Sequence, residues 1–301
     1  MKRIPVILDT DIGSDIDDSW ALALLLRSSE LDLRLVATDS GNTTYRARVA
    51  ARLLESGGRD DVPIGIGIHQ QDSAGPQAPW VAGYDLSRYA GPIHGDGVGA
   101  LVNTIMSAPE PVTLIAIGPV PNIAAALERE PRIAERARFV GMHGSIRVGY
   151  DGSPEPVAEY NVRAAPLACR AAFQAPWPVT ITPLDTCGLI TLEGAKYRAV
   201  RDHGDPLIQA LMESYDVWAE HIDWTQVDPR VQSSTLFDTV AIYLAFADEL
   251  LAMEKLGIRV TGDGYTVVDD SARTIDCAVA WRDLAAFEDL LVTRLTGRDS
   301  T

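Results

Sequence analysis

Cysteine is scarce. Cys169, Cys187 and Cys277 are the only three in 301 residues, they lie far apart, and no CxxC pair occurs. That spacing suggests neither a disulfide framework nor a zinc site. Basic residues are also in short supply: Lys and Arg number 26 against 42 Asp and Glu, a formal charge of −16. Such a balance argues against nucleic acid and anionic membrane as partners, because both need basic patches. Uninterrupted apolar runs of about 18 residues, the length of a membrane span, do not occur. The apolar run after the basic start Lys2-Arg3 stops at Asp9, too short for the core of a signal peptide, so a cytoplasmic protein is the default expectation. Internal repeats, low-complexity runs and linkers are missing as well. What the chain does have is 47% hydrophobic content, enough for a large core, and one compact domain over residues 1–301 is expected.

Strand and helix patterns alternate. Residues 4–9 read as a buried strand and 17–27 as a helix apolar on most sides. A second strand spans 33–39, a helix 44–55 closes at Gly57-Gly58, and a third strand spans 62–66. Residues 69–97, rich in Gly, Pro, Gln and Trp, break the rhythm, and long loops in such folds are often functional. The alternation resumes with a helix near 100–106, strand 112–117, a helix to Glu128, strand 138–142, a loop over 143–161, a helix near 166–173 and strand 179–182. Beyond Thr191 the pattern turns helical, over about 191–202, 206–224 and 235–247. Short strands at 258–261, 266–268 and 274–277 and a last helix over 284–295 complete it. This order predicts a single α/β domain, a mostly parallel twisted central sheet flanked by helices, with a helical C-terminal portion. Ligands of such sheets sit at the carboxyl ends of the strands. The polar clusters Asp9–Asp18, Gly41-Asn42, Gly118–Asn122 and Met142–Asn161 all fall there.

The first cluster is the strongest signal. Asp9-Thr10-Asp11-Ile12-Gly13-Ser14-Asp15-Ile16-Asp17-Asp18 packs five carboxylates into ten residues after an apolar strand. Like charges that close raise one another's pKa unless a cation sits among them. Neither Lys nor Arg occurs between Arg3 and Arg27, so the sequence offers no nearby cation, and a hard metal ion with oxygen ligands, Ca²⁺ or Mg²⁺, is the economical answer. A solvated turn with Asp15 as helix N-cap would account for one or two of the acids, not five. An EF-hand loop is excluded because Trp20 stands where its bidentate Glu belongs.

Position by position the stretch resembles the DTDIGxDxDD opening of the nucleoside hydrolases. The resemblance continues through Gly41-Asn42, through Ile93-His94-Gly95-Asp96-Gly97-Val98-Gly99, and through Gly118-Pro119-Val120-Pro121-Asn122. Two more matching segments are Glu155-Pro156-Val157-Ala158-Glu159-Tyr160-Asn161 and Leu236-Phe237-Asp238-Thr239-Val240-Ala241. It implies a calcium-dependent hydrolase that splits the N-glycosidic bond of a ribonucleoside, giving ribose and free base. Carried over residue by residue, Asp11, Asp18 and Asp238 would ligate Ca²⁺ through side chains and Pro121 through its carbonyl. Asp17, Asn42, Glu159 and Asn161 would bind ribose, with Ser153 near its 5′ end, and Asp11 would be general base for the attacking water. The family also implies a homo-oligomer, a dimer or tetramer.

The leaving-group end departs from the pattern. Phe237 stands where the family usually has a His that protonates the departing base. His221 is the first candidate to replace it, His94 the second and His143 the third; Met142, just before His143, joins the substrate-binding set. Trp218, His221 and Trp224 recur at near-helical spacing and would either stack on the base or form an amphipathic face packed on the core. Trp80 is expected in a flap over the site. Two other readings stay open. A phosphatase of the haloacid dehalogenase type would use Asp9 as nucleophile and Asp11 as acid/base, with Mg²⁺, Lys196 and Asp269-Asp270; Gly13 stands where its motif has Thr or Val. A ribose-binding or weakly active homologue would keep the metal and sugar groups but lack the acid.

Overall fold

The core is built on both sides of its first strand. In β1 (Ile4–Thr10), Val6 and Leu8 belong to one buried cluster and Ile7 to another across the sheet, because successive side chains of a strand point to opposite faces. A strand covered on both faces reads as a continuous apolar run, which is why Ile4–Leu8 shows no polar alternation. The computed structural model describes residues 2–297; Met1 and residues 298–301, the two ends of the expected domain, lie outside the described residues.

The chain then winds as α1 (Asp17–Leu26), β2 (Leu31–Thr38), α2 (Thr43–Ser56), β3 (Ile64–Ile66) and β4 (Ile93–His94). Its second run is α3 (Gly97–Ser107), β5 (Val112–Ala116), α4 (Pro121–Arg129), β6 (Ala137–Met142), α5 (Tyr160–Ala164), α6 (Pro166–Gln174) and β7 (Val179–Thr182). Helices α7 (Leu184–Cys187), α8 (Gly194–Arg201), α9 (Pro206–His221) and α10 (Thr239–Leu244) follow. Strands β8 (Leu251–Val260), β9 (Thr266–Val268) and β10 (Thr274–Trp281) precede α11 (Leu284–Thr296). Among the described residues one sheet of ten strands has the order β4-β3-β2-β1-β5-β6-β7-β10-β8-β9. Pairing is parallel from β4 to β10 and antiparallel at β10–β8 and β8–β9. The winding reverses between β1 and β5, so a crevice opens beyond the carboxyl ends of those two strands.

Helix α1 is apolar all round and buried from Asp17 to Leu25, a core helix rather than a surface one. Trp20, Leu22 and Leu24 are fully buried in it. The three cysteines are free and buried, and no helix among the described residues is long and apolar enough to cross a membrane.

The C-terminal portion differs from expectation. The helix expected over 235–247 is only Thr239–Leu244, and the strand expected from Ile258 starts at Leu251. Leu251–Val260 alternates weakly and contains Gly257, so its extended form comes from antiparallel pairing along β10 rather than from its own pattern. The tail strands expected at 258–261, 266–268 and 274–277 form an antiparallel extension of the main sheet, the first and last of them longer than expected. Within 69–97, residues Ile93–His94 form a short edge strand on β3.

Candidate active site

The four polar clusters do share one edge of the sheet, because β2, β1, β5 and β6 run parallel and each ends beside one of them. Leaving β1, the chain turns at Gly13, whose φ of +104° is open only to glycine at low cost. The Gly13 carbonyl accepts from the Tyr45 hydroxyl at 3.0 Å. Gly75 lies so close over it that an added Cβ would come within 2.1 Å of the Gly13 oxygen, so the 70s loop is seated directly on the acidic turn. Asp15 is not the helix cap: Ile16 holds that position without a side-chain bond, and the Asp15 carboxylate instead accepts from the Ile16 N–H at 2.7 Å.

Asp17, Asp18 and Asp238, each at most 4% exposed, bring carboxylate oxygens within 4.8 Å of one another. Asp17 and Asp18 form the first turn of α1, and Asp238 arrives at the start of α10, which packs against α1. Burial raises all three carboxyls well above their ordinary value, and neighbouring charge raises them further: Asp15 and Asp11 act on Asp17, Asp11 and Asp17 on Asp18, and Asp17, Asp18 and Asp11 on Asp238. Thr10 donates its hydroxyl to Asp18. The donor set is all carboxylate oxygen, without His or Cys, and it carries a charge that nothing in the triad offsets. Those residues fit a hard divalent cation such as Ca²⁺.

Asp11 stands beside this triad and is held differently. Its carboxylate accepts from Ser14 Oγ at 2.7 Å and faces the Arg46 guanidinium at 3.6 Å. Arg46, from α2, also donates through Nε to the Ser40 carbonyl at 2.9 Å and through Nη1 to the carbonyls of Ile12, at 3.0 Å, and Asp11. The acidic turn therefore has a cation of its own, which no neighbouring position in the sequence supplies; it comes from far along the chain. Arg46 is 7% exposed and lies on the stripe of α2 that also carries Val49, Ala50 and Leu53. An arginine on a buried stripe is the signal that could have found it.

The loop after β5 is pinned from below. Asp9, pushed up to about 6 by burial, accepts from Asn122 Nδ2 at 2.9 Å. Asp39, raised further by burial and by the Asp9 charge, accepts the Val120 N–H at 2.7 Å. That bond holds Val120 in the left-handed region, φ 61°, an outlier for a β-branched residue, immediately before Pro121. Asp9 is thus occupied in support.

On the opposite side, Glu159 caps α5. It is 1% exposed and accepts the N–H groups of Gly144, Asn161 and Val162 at 2.9, 2.7 and 3.2 Å. Burial outweighs those bonds and lifts its carboxyl to about 7. Asn161 donates to the carbonyls of Met142 and Ile117 at 3.0 and 3.3 Å and touches the Met142 sulfur at 3.4 Å. The loop between is braced from outside the parallel sheet. Thr266 of β9 exchanges hydrogen bonds with the Ser145 backbone, both 2.9 Å, and Asp185 accepts from Ile146 and Arg147 at 2.9 and 2.8 Å.

Other candidates sit elsewhere or are already engaged. Asn42 caps α2 through Tyr45 N–H and donates to the Asp72 carbonyl at 2.7 Å. Ser153 is half-buried in a local turn with Tyr150. His94 is exposed on β4 and lines a cleft of about 470 Å³ with Asp96, Asn103 and Ser107, to which none of the cluster's carboxylates contributes. His143 is fully buried, its Nε2 at 3.0 Å from the Gly118 carbonyl, and burial lowers it to about 4, so it is a neutral packing group. His221 is exposed at the end of α9, its Nδ1 bonded to Val217 at 2.7 Å. Trp218 is fully buried and donates to the Ser14 carbonyl at 3.1 Å, which favours the packed-face reading; Trp224 beside it is 57% exposed. Trp80 is no flap residue: it is 5% exposed under the Arg52 guanidinium. Lys196 is paired with Glu288 and Asp289, and Asp269 with Arg259, so the groups a phosphatase would need lie away from β1.

The family model described as inosine-uridine preferring nucleoside hydrolase matches residues 6–288. A pyrimidine-specific ribonucleoside hydrolase, RihA, from Salmonella arizonae is 30% identical over 88% of each chain, and a protein of the same name from Citrobacter koseri is 29% identical over 88% of each. Among solved structures, a plant nucleoside hydrolase, PpNRh1, aligns with a TM-score of 0.81 at 22% identity, covering 98% of this chain and 99% of its own. A purine-preferring ribonucleoside hydrolase from Gardnerella vaginalis aligns with a TM-score of 0.78 at 22% identity, covering 97% and 98%. With the sheet, the switch-point crevice and the buried aspartates in agreement, the chain belongs to the nucleoside hydrolase family, hydrolases of the N-glycosidic bond of ribonucleosides.

Proposed function

We propose that this protein is a calcium-dependent ribonucleoside hydrolase that releases ribose and a free base, with Asp11 as general base. The observation that carries the reading is the buried triad Asp17, Asp18 and Asp238 with Asp11 beside it at the switch-point crevice. Asp11, Asp18 and Asp238 would hold the ion through carboxylates and Pro121 through its carbonyl, with Asp17 at the junction of metal and sugar. An ion held there would supply the positive charge that makes a nearby water more acidic.

The chain's own groups do the rest. Asp11 accepts a proton from the water that attacks the anomeric carbon, its carboxylate aimed by Ser14 and Arg46. Asp17, Asn42, Glu159 and Asn161 orient the ribose, and the surrounding carboxylates favour the positive charge that grows on the sugar ring as the C–N bond breaks. Phe237 cannot donate a proton, so bases that leave only after protonation are poor substrates. His221 donates its Nδ1–H to the Val217 carbonyl, so its Nε2 can hand a proton to the base only when the ring carries both protons. The RihA relatives are named pyrimidine-specific, which favours a pyrimidine ribonucleoside. A dimer or tetramer belongs to the same reading, checked by sedimentation velocity.

The test is to incubate the protein with a panel of ribonucleosides and p-nitrophenyl β-riboside, with calcium or with chelator, and to assay reducing sugar. Ribose release that chelator abolishes is expected. Silence on every riboside in calcium would sink the proposal.

A further inference from the structure

The loop between β6 and α5 carries a side chain that the proposed reaction leaves unused. Tyr150 sets its ring edge-on to Phe237, centroids 6.1 Å apart at 85°. Its hydroxyl oxygen accepts the Tyr160 N–H at 3.0 Å. Phe237 immediately precedes Asp238 and Tyr160 immediately follows Glu159, so Tyr150 bridges the metal arm and the sugar arm of the site. It is 37% exposed, and Tyr160 is 46% exposed, so both reach solvent.

Two features separate Tyr150 from an ordinary rim tyrosine. Its oxygen is already used as an acceptor, and among the described residues no group accepts its own proton. That proton is therefore free for a ligand. The loop is also fixed: Ser145, Ile146 and Arg147 are tied to Thr266 and Asp185, and Arg147 pairs with Glu254 through two bonds of 2.8 Å. A hydroxyl on a braced loop is aimed before substrate arrives.

We infer that Tyr150 is a specificity residue of the leaving-group end, donating its O–H to a carbonyl oxygen on the departing base. The substrates are then nucleosides whose base leaves as a stabilised anion with a carbonyl beside the glycosidic nitrogen, as in uridine. This rests on the hydrolase reading above.

The step balances without an acid. Water's oxygen bonds to the anomeric carbon and its proton goes to Asp11. The electron pair of the breaking C–N bond stays on the base and spreads onto the carbonyl oxygen facing Tyr150. The tyrosine keeps its proton, and solvent protonates the base after release. Burial, with the Glu159 charge added, holds the phenol above its ordinary value, which favours donation of a hydrogen bond over loss of the proton. Phe237 complements this by walling the pocket with a ring that neither donates nor accepts. A base without such a carbonyl gains nothing from the arrangement.

The experiment compares wild type with Tyr150→Phe, which keeps the ring against Phe237, on uridine and on p-nitrophenyl β-riboside in saturating calcium. A hydrogen bond to a charged acceptor predicts that uridine kcat/KM falls about 10- to 100-fold more than that of the activated riboside. As a second measure, 5-fluorouridine, whose base is a better anion, should gain on uridine in the variant relative to wild type. Equal losses on both ribosides would mean that only the bond to Tyr160 mattered, and would overturn the inference; so would no loss, or an unchanged 5-fluorouridine to uridine ratio. Wild-type protein inactive on both ribosides brings down the hydrolase reading and this inference with it. Wild-type activity with an indifferent Tyr150→Phe removes this inference alone.

Discussion

Replacing Arg46 by methionine tests whether the acidic turn depends on an internal cation. Methionine keeps much of the length and apolar bulk of the stem but has no donors. The change strips hydrogen bonds from the carbonyls of Ser40, Asp11 and Ile12 and leaves the Asp11 carboxylate without its guanidinium. Ser40 is itself held at φ 49°, a conformation that loses its tie when Nε is removed. Removing one partner of a buried ion pair costs about 3–5 kcal/mol. At about 2.1 cal/mol/K of unfolding entropy per residue, a chain of this size should lose about 5–8 °C in Tm. The assay is thermal and denaturant unfolding of Arg46→Met, Arg46→Lys and wild type, each in chelator and in calcium. The methionine variant should lose most in chelator and less in calcium, where a bound ion gives the Asp11 charge another neighbour. Lysine should rescue only part, because a point charge cannot span three carbonyls. A loss below about 1 kcal/mol in chelator, the range of ordinary surface substitutions, would refute the argument.

Glu159 gives a pH prediction. Its folded value, about 7, lies above the ordinary 4.5, so the stability it contributes is fully present below pH 4.5 and is lost as pH rises through 7. The shift corresponds to about 3 kcal/mol, and chelated protein should resist denaturant better at pH 5 than at pH 8; the opposite slope counts against the assignment. Gly75→Ala should destabilise by about 1–3 kcal/mol, since its Cβ meets the Gly13 carbonyl, and a neutral result by denaturant titration would mean the 70s loop is not seated there. Asp11→Asn should lower turnover by about 10²-fold or more while ribose binding stays measurable by calorimetry; full residual activity removes Asp11 as base. Phe237→His should raise inosine cleavage by about 10²-fold, and an unchanged rate would show that the missing imidazole is not what limits purines.

Much of this was legible in the sequence because the signals were local. The buried run Ile4–Leu8 and the strand–helix rhythm pointed to the parallel sheet, and winding alone sent Asp9–Asp18, Gly118–Asn122 and Met142–Asn161 to one edge. What escaped depends on partners distant in the chain. Arg46 is separated from Asp11 by helix α1, strand β2 and their loops, so a search for cations flanking the acidic turn could not reach it. Asp15 looked like a cap because its residue type and place fit one; the observed turn puts Ile16 there instead. Leu251–Val260 is a strand because β10 pairs with it, a fact that its own residues do not encode. Trp80 lies in a polar loop, yet its ring is taken up by the core under Arg52.

The brace on the β6–α5 loop bears on how the protein is made. Thr266, which clasps Ser145, and Gly264, which packs against the Arg163 backbone, lie far downstream of the loop, as does the strand β10 that seats β8 on the sheet. During synthesis the loop that carries Tyr150, Glu159 and Asn161 emerges before its clasp, because Thr266 is translated well after it. Asp238 also arrives late, so the emerging chain carries Asp17 and Asp18 for a long interval without their third member. The site is therefore complete only after β9 and β10 have emerged, and a chain interrupted before them lacks the brace of its β6–α5 loop.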